Sequence, residues 1–202
     1  MKKVCISDVS LRFIGSESAI NFSFKEKLEI AKRLSSLNVD VIELSPVAND
    51  KADEVLVKTI SAVVKNAVIS CVAGNSEKEA EHAYSLISGA AKKRLLVSVP
   101  VSPVQMEYFS GKKPAAVLEQ LKKITEKAVA LCPDVEVSLD DATRAEPEFL
   151  FGAIKTAIDA GAKTVSVTDL AGAMTPFEFS DFISALYKNV PDLKKVTLGV
   201  QT

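Results

Sequence analysis

The chain has 202 residues, 48% of them hydrophobic, which is enough for one domain with a sizeable core. Its formal net charge of −1 provides no attraction to nucleic acid or to an anionic membrane, so neither is expected as a partner. No apolar run approaches the roughly 20 residues of a membrane span, and the N-terminus lacks the apolar segment of a signal peptide, so we expect a soluble, cytoplasmic protein.

Apolar runs typical of β-strands alternate with helical segments along the whole chain, which favours a parallel sheet with helices packed against it. Between the strands we predict six helices. In the helix over residues 24–37, Leu28, Ala31, Leu34 and Leu37 form one stripe. The seven predicted strands cover residues 4–10, 39–45, 67–73, 95–101, 135–139, 164–168 and 196–200. The predicted capping boxes are Ser23 with Glu26, Ser76 with Glu79, and Thr175 with Glu178.

The last four strands alternate between apolar and polar or small side chains. In the fifth strand, for example, Val135 and Val137 alternate with Glu136 and Ser138. A barrel explains this pattern, because its valines face the outer helices and its small polar side chains point into the lumen. The alternative is that short strands alternate by chance.

A full barrel needs eight strands and eight helices, typically about 250 residues. The predicted fold class is therefore α/β, a parallel (β/α) TIM-barrel type that is incomplete, in a single domain over residues 1–202. Its strand edges would be open. Three explanations remain: truncation of a longer protein, which we favour; a homodimer or partner chain that covers the edges; or rearranged strands.

The three cysteines form an odd set. Cys5 and Cys71 lie in apolar β-like runs, and Cys132 follows Ala-Leu. We expect buried thiols rather than disulfides or metal ligands.

Residues 8–13 read Asp-Val-Ser-Leu-Arg-Phe and follow a short apolar run. They resemble the Asp-Thr-Thr-Leu-Arg-Asp signature of isopropylmalate synthases, homocitrate synthases and hydroxymethylglutaryl-CoA lyases, the DRE-TIM metallolyases. Four further segments resemble this family in the correct order: KEKLEIAKRLSSLNVDVIELSP, VSVPVSPVQMEY, VEVSLDDATRAEPEFL and VTDLAGAMTPFEF. The chain is identified as a member, an HMGL-like (pyruvate carboxyltransferase-like) barrel that lacks the last units.

The resemblance implies a condensation of an acyl-CoA with a 2-oxo acid. In the family a divalent metal such as Mg, Mn or Zn polarises the 2-oxo acid, and an arginine stabilises the developing oxyanion. Arg12, Glu43 and Glu136 match the family's catalytic positions. The resemblance implies that a small 2-oxo acid or carboxylate contacts Arg12, Glu43, Ser138 and Thr168.

The metal positions depart from the family. Phe13 stands where the family has a metal-binding aspartate, Gln201 replaces the first histidine of the His-x-His pair, and the chain ends at Thr202, before the second. We therefore predict no metal site and no cofactor. Other departures are Ile14, Gly15 and Ser16 in place of Gly-Glu-Gln, and Leu170 in place of a pocket threonine.

No other residue offers a replacement ligand. His82, the only histidine, is predicted on a solvated helix surface, and Asp140 and Asp141 are predicted to cap or to lie in a solvated loop.

Three functional hypotheses remain. The first is a relative of the acyl-CoA-dependent synthases that is impaired or inactive as this chain alone. The second is a non-catalytic pseudoenzyme, regulatory or scaffold protein that binds a carboxylate through Arg12 or a protein partner. The third is a metal-free lyase with Glu136 as base. The polar residues Arg12, Glu43 and Glu136 could equally be retained as a buried ion-pair network.

Overall fold

The computed structural model describes residues 4–13, 22–45 and 51–202, so the predicted departures at Ile14, Gly15 and Ser16 lie outside the described residues. The described residues fall into two units, one within Met1–Leu95 and one within Leu96–Thr202. The predicted single domain stays a prediction.

The first unit contains three parallel strands and the start of a fourth, hydrogen-bonded in chain order. Its strands are β1 (Ser7–Asp8), β2 (Val41–Leu44), β3 (Val68–Val72) and the start of β4 (Lys93–Pro100). Its helices are α1 (Ser10–Phe13), α2 (Phe24–Ser36), α3 (Lys51–Val63) and α4 (Glu77–Ile87).

The parallel register of the first unit places two polar side chains together on one face of the sheet. Glu43 on β2 pairs with Ser70 on β3, so their side chains share one face of the sheet. Ile42, Ile69 and Cys71 alternate with them on the opposite face and are fully buried. The apolar core of this unit therefore lies on that second face.

The second unit repeats the alternation of strand and helix, again with strands in chain order. Its strands are the rest of β4, β5 (Val135–Asp140), β6 (Thr164–Thr168) and β7 (Thr197–Gln201). Its helices are α5 (Pro103–Gln105), α6 (Pro114–Leu131), α7 (Pro147–Asp159) and α8 (Pro176–Asn189). A π-helix covers Met106–Ser110, and 3-10 helices cover Ala142–Arg144 and Pro191–Lys195.

The predicted alternation is confirmed in the second unit. β5, β6 and β7 are parallel, and their register aligns Ser138 with Ser166 and Ser166 with Gly199. Val137 and Val165 form a register pair on the other face. One face of these three strands is thus polar or small, and the other is apolar.

The six predicted helices are confirmed as the six longest of the described residues, and all seven predicted strands are present, β6 with the predicted bounds and the others with shifted ends. The first strand is the largest correction, because only Ser7 and Asp8 of the predicted residues 4–10 are strand. An Asp8 oxygen accepts the Ser10 amide at 3.0 Å, and a helix begins at Ser10. This local side-chain contact accompanies the end of the strand at Asp8.

Two of the three predicted capping boxes are complete, at Ser23 with Glu26 and at Thr175 with Glu178. The third is only half formed. The Ser76 hydroxyl accepts the Glu79 amide at 3.3 Å, but the Glu79 carboxylate accepts the amide of Asn75, not that of Ser76.

Two of the three cysteine predictions are confirmed and one is wrong. Cys71 and Cys132 are buried as expected, and burial raises the pKa of the Cys71 thiol to about 12. The prediction for Cys5 is wrong, because it is exposed. Cys5 precedes the short β1, and its neighbours Val4 and Ile6 are exposed too.

Within the described residues, no helix is both long and apolar enough to cross a membrane.

Candidate functional site

The first unit brings Arg12 and Glu43 into direct contact. The Arg12 guanidinium donates from Nη1 to Glu43 Oε2 at 3.1 Å, and the Ser7 hydroxyl donates to Oε1 at 2.7 Å. The two charged side chains are 11% and 6% exposed. We call Ser7, Arg12 and Glu43 the arginine cluster. Both carboxylate oxygens of Glu43 are therefore hydrogen-bonded.

Local structure after β1 positions Arg12. The Val9 carbonyl accepts the Arg12 amide at 3.0 Å, which starts the single turn of α1. Ser45, which follows β2, donates its hydroxyl to the carbonyls of Leu11 and Arg12, both at 2.9 Å. The turn that carries Arg12 is thus fixed to the strand that carries Glu43.

Phe13 lies beside Arg12 rather than offering a ligand. The guanidinium carbon of Arg12 lies 5.1 Å from the centroid of the Phe13 ring, within the range of a cation–π interaction. A phenyl ring cannot ligate a divalent cation, and Gln201 offers a neutral amide. No group of three His, Cys, Asp or Glu residues suited to a metal ion occurs in residues 4–13, 22–45 and 51–202. The residues present do not fit the family's metal.

The second unit buries Glu136 against a hydroxyl. The Ser166 hydroxyl donates to Glu136 Oε1, and both residues are buried. Gly199 lies next to Ser166 in the register, and a Cβ built at Gly199 would overlap the Ser166 hydroxyl oxygen. The glycine therefore makes room for the contact between Ser166 and Glu136.

Asp140, at the end of β5, accepts hydrogen bonds from two further hydroxyls. Ser138 donates to its Oδ1 at 2.8 Å, and Ser98 on β4 donates to its Oδ2. Ser138, predicted as a substrate contact, thus lies on the same strand face as Glu136 and is 2% exposed.

Asp141 is fully buried, so the prediction that it lies in a solvated loop is wrong. Its φ of 62° turns the chain directly after β5. The Ser102 hydroxyl donates to it at 2.5 Å, and Arg144 binds it through Nε and Nη2 at 2.7–3.0 Å. Its amide donates to Thr168 Oγ1 at 2.8 Å, so this predicted substrate contact also joins the ends of β5 and β6. The positive φ and the burial are the features that the sequence did not reveal.

Asp169 follows β6 and forms a second anchored carboxylate. It accepts the Thr143 hydroxyl at 2.7 Å and the Met174 amide at 3.2 Å. The Thr143 hydrogen bond is the main cause that lowers the pKa of Asp169 below its usual value of 3.8. Next to it, Leu170 is half-exposed.

His82 lies on α4 as predicted, with a partly exposed side chain whose Nε2 is 3.4 Å from Glu54 Oε1. A separate cavity of about 410 Å³ in the second unit is lined by Pro103, Met106, Pro114, Phe149 and others. None of the five predicted site residues lines it.

A family model described as HMGL-like matches residues 3–201. The chain belongs to the HMGL-like family. The 2-isopropylmalate synthase of Aquifex aeolicus is 40% identical over 201 residues, 98% of this chain and 38% of that protein. The 2-isopropylmalate synthase of Pyrococcus abyssi is 36% identical, over 99% of this chain and 41% of that protein. The chain thus spans about two fifths of the length of these relatives.

Solved structures confirm the fold class. The HMG-CoA lyase of Brucella melitensis matches with a TM-score of 0.79 at 15% identity, over 99% of this chain and 72% of that one. The hydroxymethylglutaryl-CoA lyase of Pseudomonas aeruginosa matches with a TM-score of 0.74 at 17% identity, over 97% of this chain and 66% of that one. At this identity the likeness shows the fold alone. The described HMGL-like chain is a parallel α/β protein of incomplete TIM-barrel type.

The structure therefore joins Arg12 to Glu43 and places Glu136 and Ser138 on one strand face, with Thr168 on the next strand. The roles assigned to these five residues stay predictions. Sequence reasoning missed Ser166, Ser70 and the burial of Asp141, because these depend on register and on backbone conformation. β3 reads Val-Ile-Ser-Cys-Val, so no alternation of polar and apolar residues pointed to Ser70.

Proposed function

We propose that this chain is an impaired relative of the 2-isopropylmalate synthases, which binds a small 2-oxo acid through Arg12 but does not condense it with an acyl-CoA on its own. The arginine cluster carries the proposal. It holds a guanidinium, 11% exposed, in a fixed orientation, beside an apolar ring at the family's metal position.

Arg12 suits a carboxylate ligand for a physical reason. A guanidinium carries five N–H donors in a planar fork, and it can hold a carboxylate while it keeps an ion pair. Little exposure strengthens each such contact, because water competes less. The pair with Glu43 fixes the orientation of the fork before any ligand arrives, which lowers the cost of binding.

Phe13 explains why binding need not lead to condensation. A Lewis acid supplies several kcal/mol of stabilisation to a developing oxyanion, and each 1.36 kcal/mol changes a rate tenfold. A loss of about 4 kcal/mol would slow condensation roughly a thousand-fold. Arg12 alone would then stabilise the charge on a ligand that does not react further.

The test measures binding and turnover separately. We expect pyruvate or a longer 2-oxo acid to raise the thermal midpoint, with no further rise from Mg²⁺, Mn²⁺ or Zn²⁺ and no release of free CoA from an acyl-CoA. Arg12→Lys keeps the charge but loses the fork, so it should abolish the shift. Arg33→Gln, on the exposed surface of α2, should not. Metal-dependent CoA release by the wild-type chain would overturn the impairment, and binding that survives in Arg12→Lys would overturn the role of Arg12.

A scaffold function is the second candidate, favoured by the low burial of α2 and α8. In the described chain α2 buries only Ala31 and α8 only Leu186, whereas α3, α4 and α7 bury four residues each and α6 buries five. Phe177, at the start of α8, is 85% exposed. Apolar side chains on an underburied helix are typical of a surface that a partner covers.

For this candidate we propose a second copy of the chain as the partner. Sedimentation velocity from 1 to 100 μM should then show a dimer that Phe177→Ser weakens. Tyr108→Ser, an exposed aromatic on the π-helix, is the matched control and should leave the dimer intact. A monomer throughout this range would exclude the homodimer.

A further inference from the structure

Three buried hydroxyls have no hydrogen-bond partner within the described part of the chain. They belong to Ser61, Ser70 and Thr125. A buried hydroxyl without a partner costs free energy, because water satisfied it in the unfolded chain. Each such group in a folded protein therefore calls for an explanation, such as a water molecule or a ligand.

The surroundings of Ser70 differ from those of the other two. Ser61 lies on α3 and Thr125 on α6, both among helix residues that pack into the apolar core. Ser70 lies on β3 and pairs in register with Glu43. Neighbouring parallel strands lie about 4.8 Å apart, so the Ser70 hydroxyl is on the same face as the Glu43 carboxylate and next to it.

Glu43 does not satisfy Ser70. Its two oxygens accept from Ser7 and Arg12, while the Ser70 hydroxyl makes no hydrogen bond. The hydroxyl is fully buried, and the fully buried Ile69 and Cys71 lie on the other side of the strand. An unused donor therefore faces the same side as the arginine cluster.

We propose that Ser70 is a ligand-contacting residue, whose hydroxyl donates a hydrogen bond to an oxygen of the acid held by Arg12. This inference rests on the proposed function. The ligand class follows from the groups present: a carboxylate or 2-oxo oxygen accepts from Arg12 and from a hydroxyl at once. The inference adds β3 to the elements that contact the ligand.

Two variants separate a ligand contact from a structural one. Ser70→Ala and Ser61→Ala each delete one buried, unpartnered hydroxyl in the first unit. Neither should lower the thermal midpoint of the ligand-free protein, because no hydrogen bond is lost. Titration calorimetry with pyruvate should then show affinity reduced about ten- to a hundred-fold in Ser70→Ala and unchanged in Ser61→Ala.

The outcomes distinguish this inference from the proposed function. If the wild type binds pyruvate, Arg12→Lys abolishes binding and Ser70→Ala binds like the wild type, only the role of Ser70 is overturned. If Ser70→Ala lowers the midpoint by several degrees without weakening binding, the hydroxyl holds structure and the inference fails as well. If the wild type does not bind pyruvate or its longer homologues, the proposed function itself fails.

Discussion

Substituting Gly199 by alanine should destabilise the second unit through its neighbour on β6. A Cβ at Gly199 would overlap the Ser166 hydroxyl oxygen and lie 3.1 Å from the Ser166 Cβ. The hydroxyl must rotate away and lose its bond to Glu136. A hydrogen bond to a charged group contributes about 1.5–3 kcal/mol, and one extra buried carbon costs about 1–3 kcal/mol. Gly199→Ala should therefore lower the free energy of unfolding by roughly 3–5 kcal/mol.

A double-mutant cycle measured by urea unfolding tests this mechanism. In the background of Ser166→Ala the hydrogen bond is already absent, so Gly199→Ala should cost about 1.5–3 kcal/mol less than in the wild type. Gly152→Ala is the matched control, because no heavy atom lies within 4 Å of its added Cβ. It should gain up to about 1 kcal/mol of helix propensity in α7. Equal costs of Gly199→Ala in both backgrounds would refute the reasoning.

Three further outcomes can be measured. The lowered pKa of Asp169 stabilises the fold above about pH 4, and this contribution is lost as pH falls through the folded pKa. Asp169→Asn should therefore be less stable at pH 7 in urea and lose less stability on acidification to pH 3. Thr175→Ala removes the cap of α8 and should cost about 1 kcal/mol in the same assay. With iodoacetamide at pH 8, mass spectrometry should find native Cys5 alkylated and Cys71 unmodified.

The sequence predicts the fold well where a pattern repeats. Alternation in β5–β7 predicted both the strands and their polar face, since a period of two places every second side chain together. Prediction failed where one local contact decides the structure. Asp8 ends β1 by accepting an amide, and Asp141 is buried because a positive φ turns it towards Ser102 and Arg144. Neither contact produces a periodic pattern in the sequence.

The site shows the same division. The resemblance indicated Arg12 and Glu43, and the structure places them in contact at 3.1 Å. Ser70 and Gly199 were not predicted, because a serine or a glycine acquires its role from its register partner. Glu43 gives Ser70 its position beside a charge, and Ser166 gives Gly199 its requirement for space.

The carboxylates of the second unit are held by donors of the protein itself. Ser166 donates to Glu136, two further serines donate to Asp140, and Ser102 and Arg144 donate to Asp141. Each of these carboxylates thus already accepts hydrogen bonds from hydroxyl donors, and Asp141 also pairs with a positively charged guanidinium. A cation that enters would therefore compete with hydrogen bonds that the protein already makes to these carboxylates.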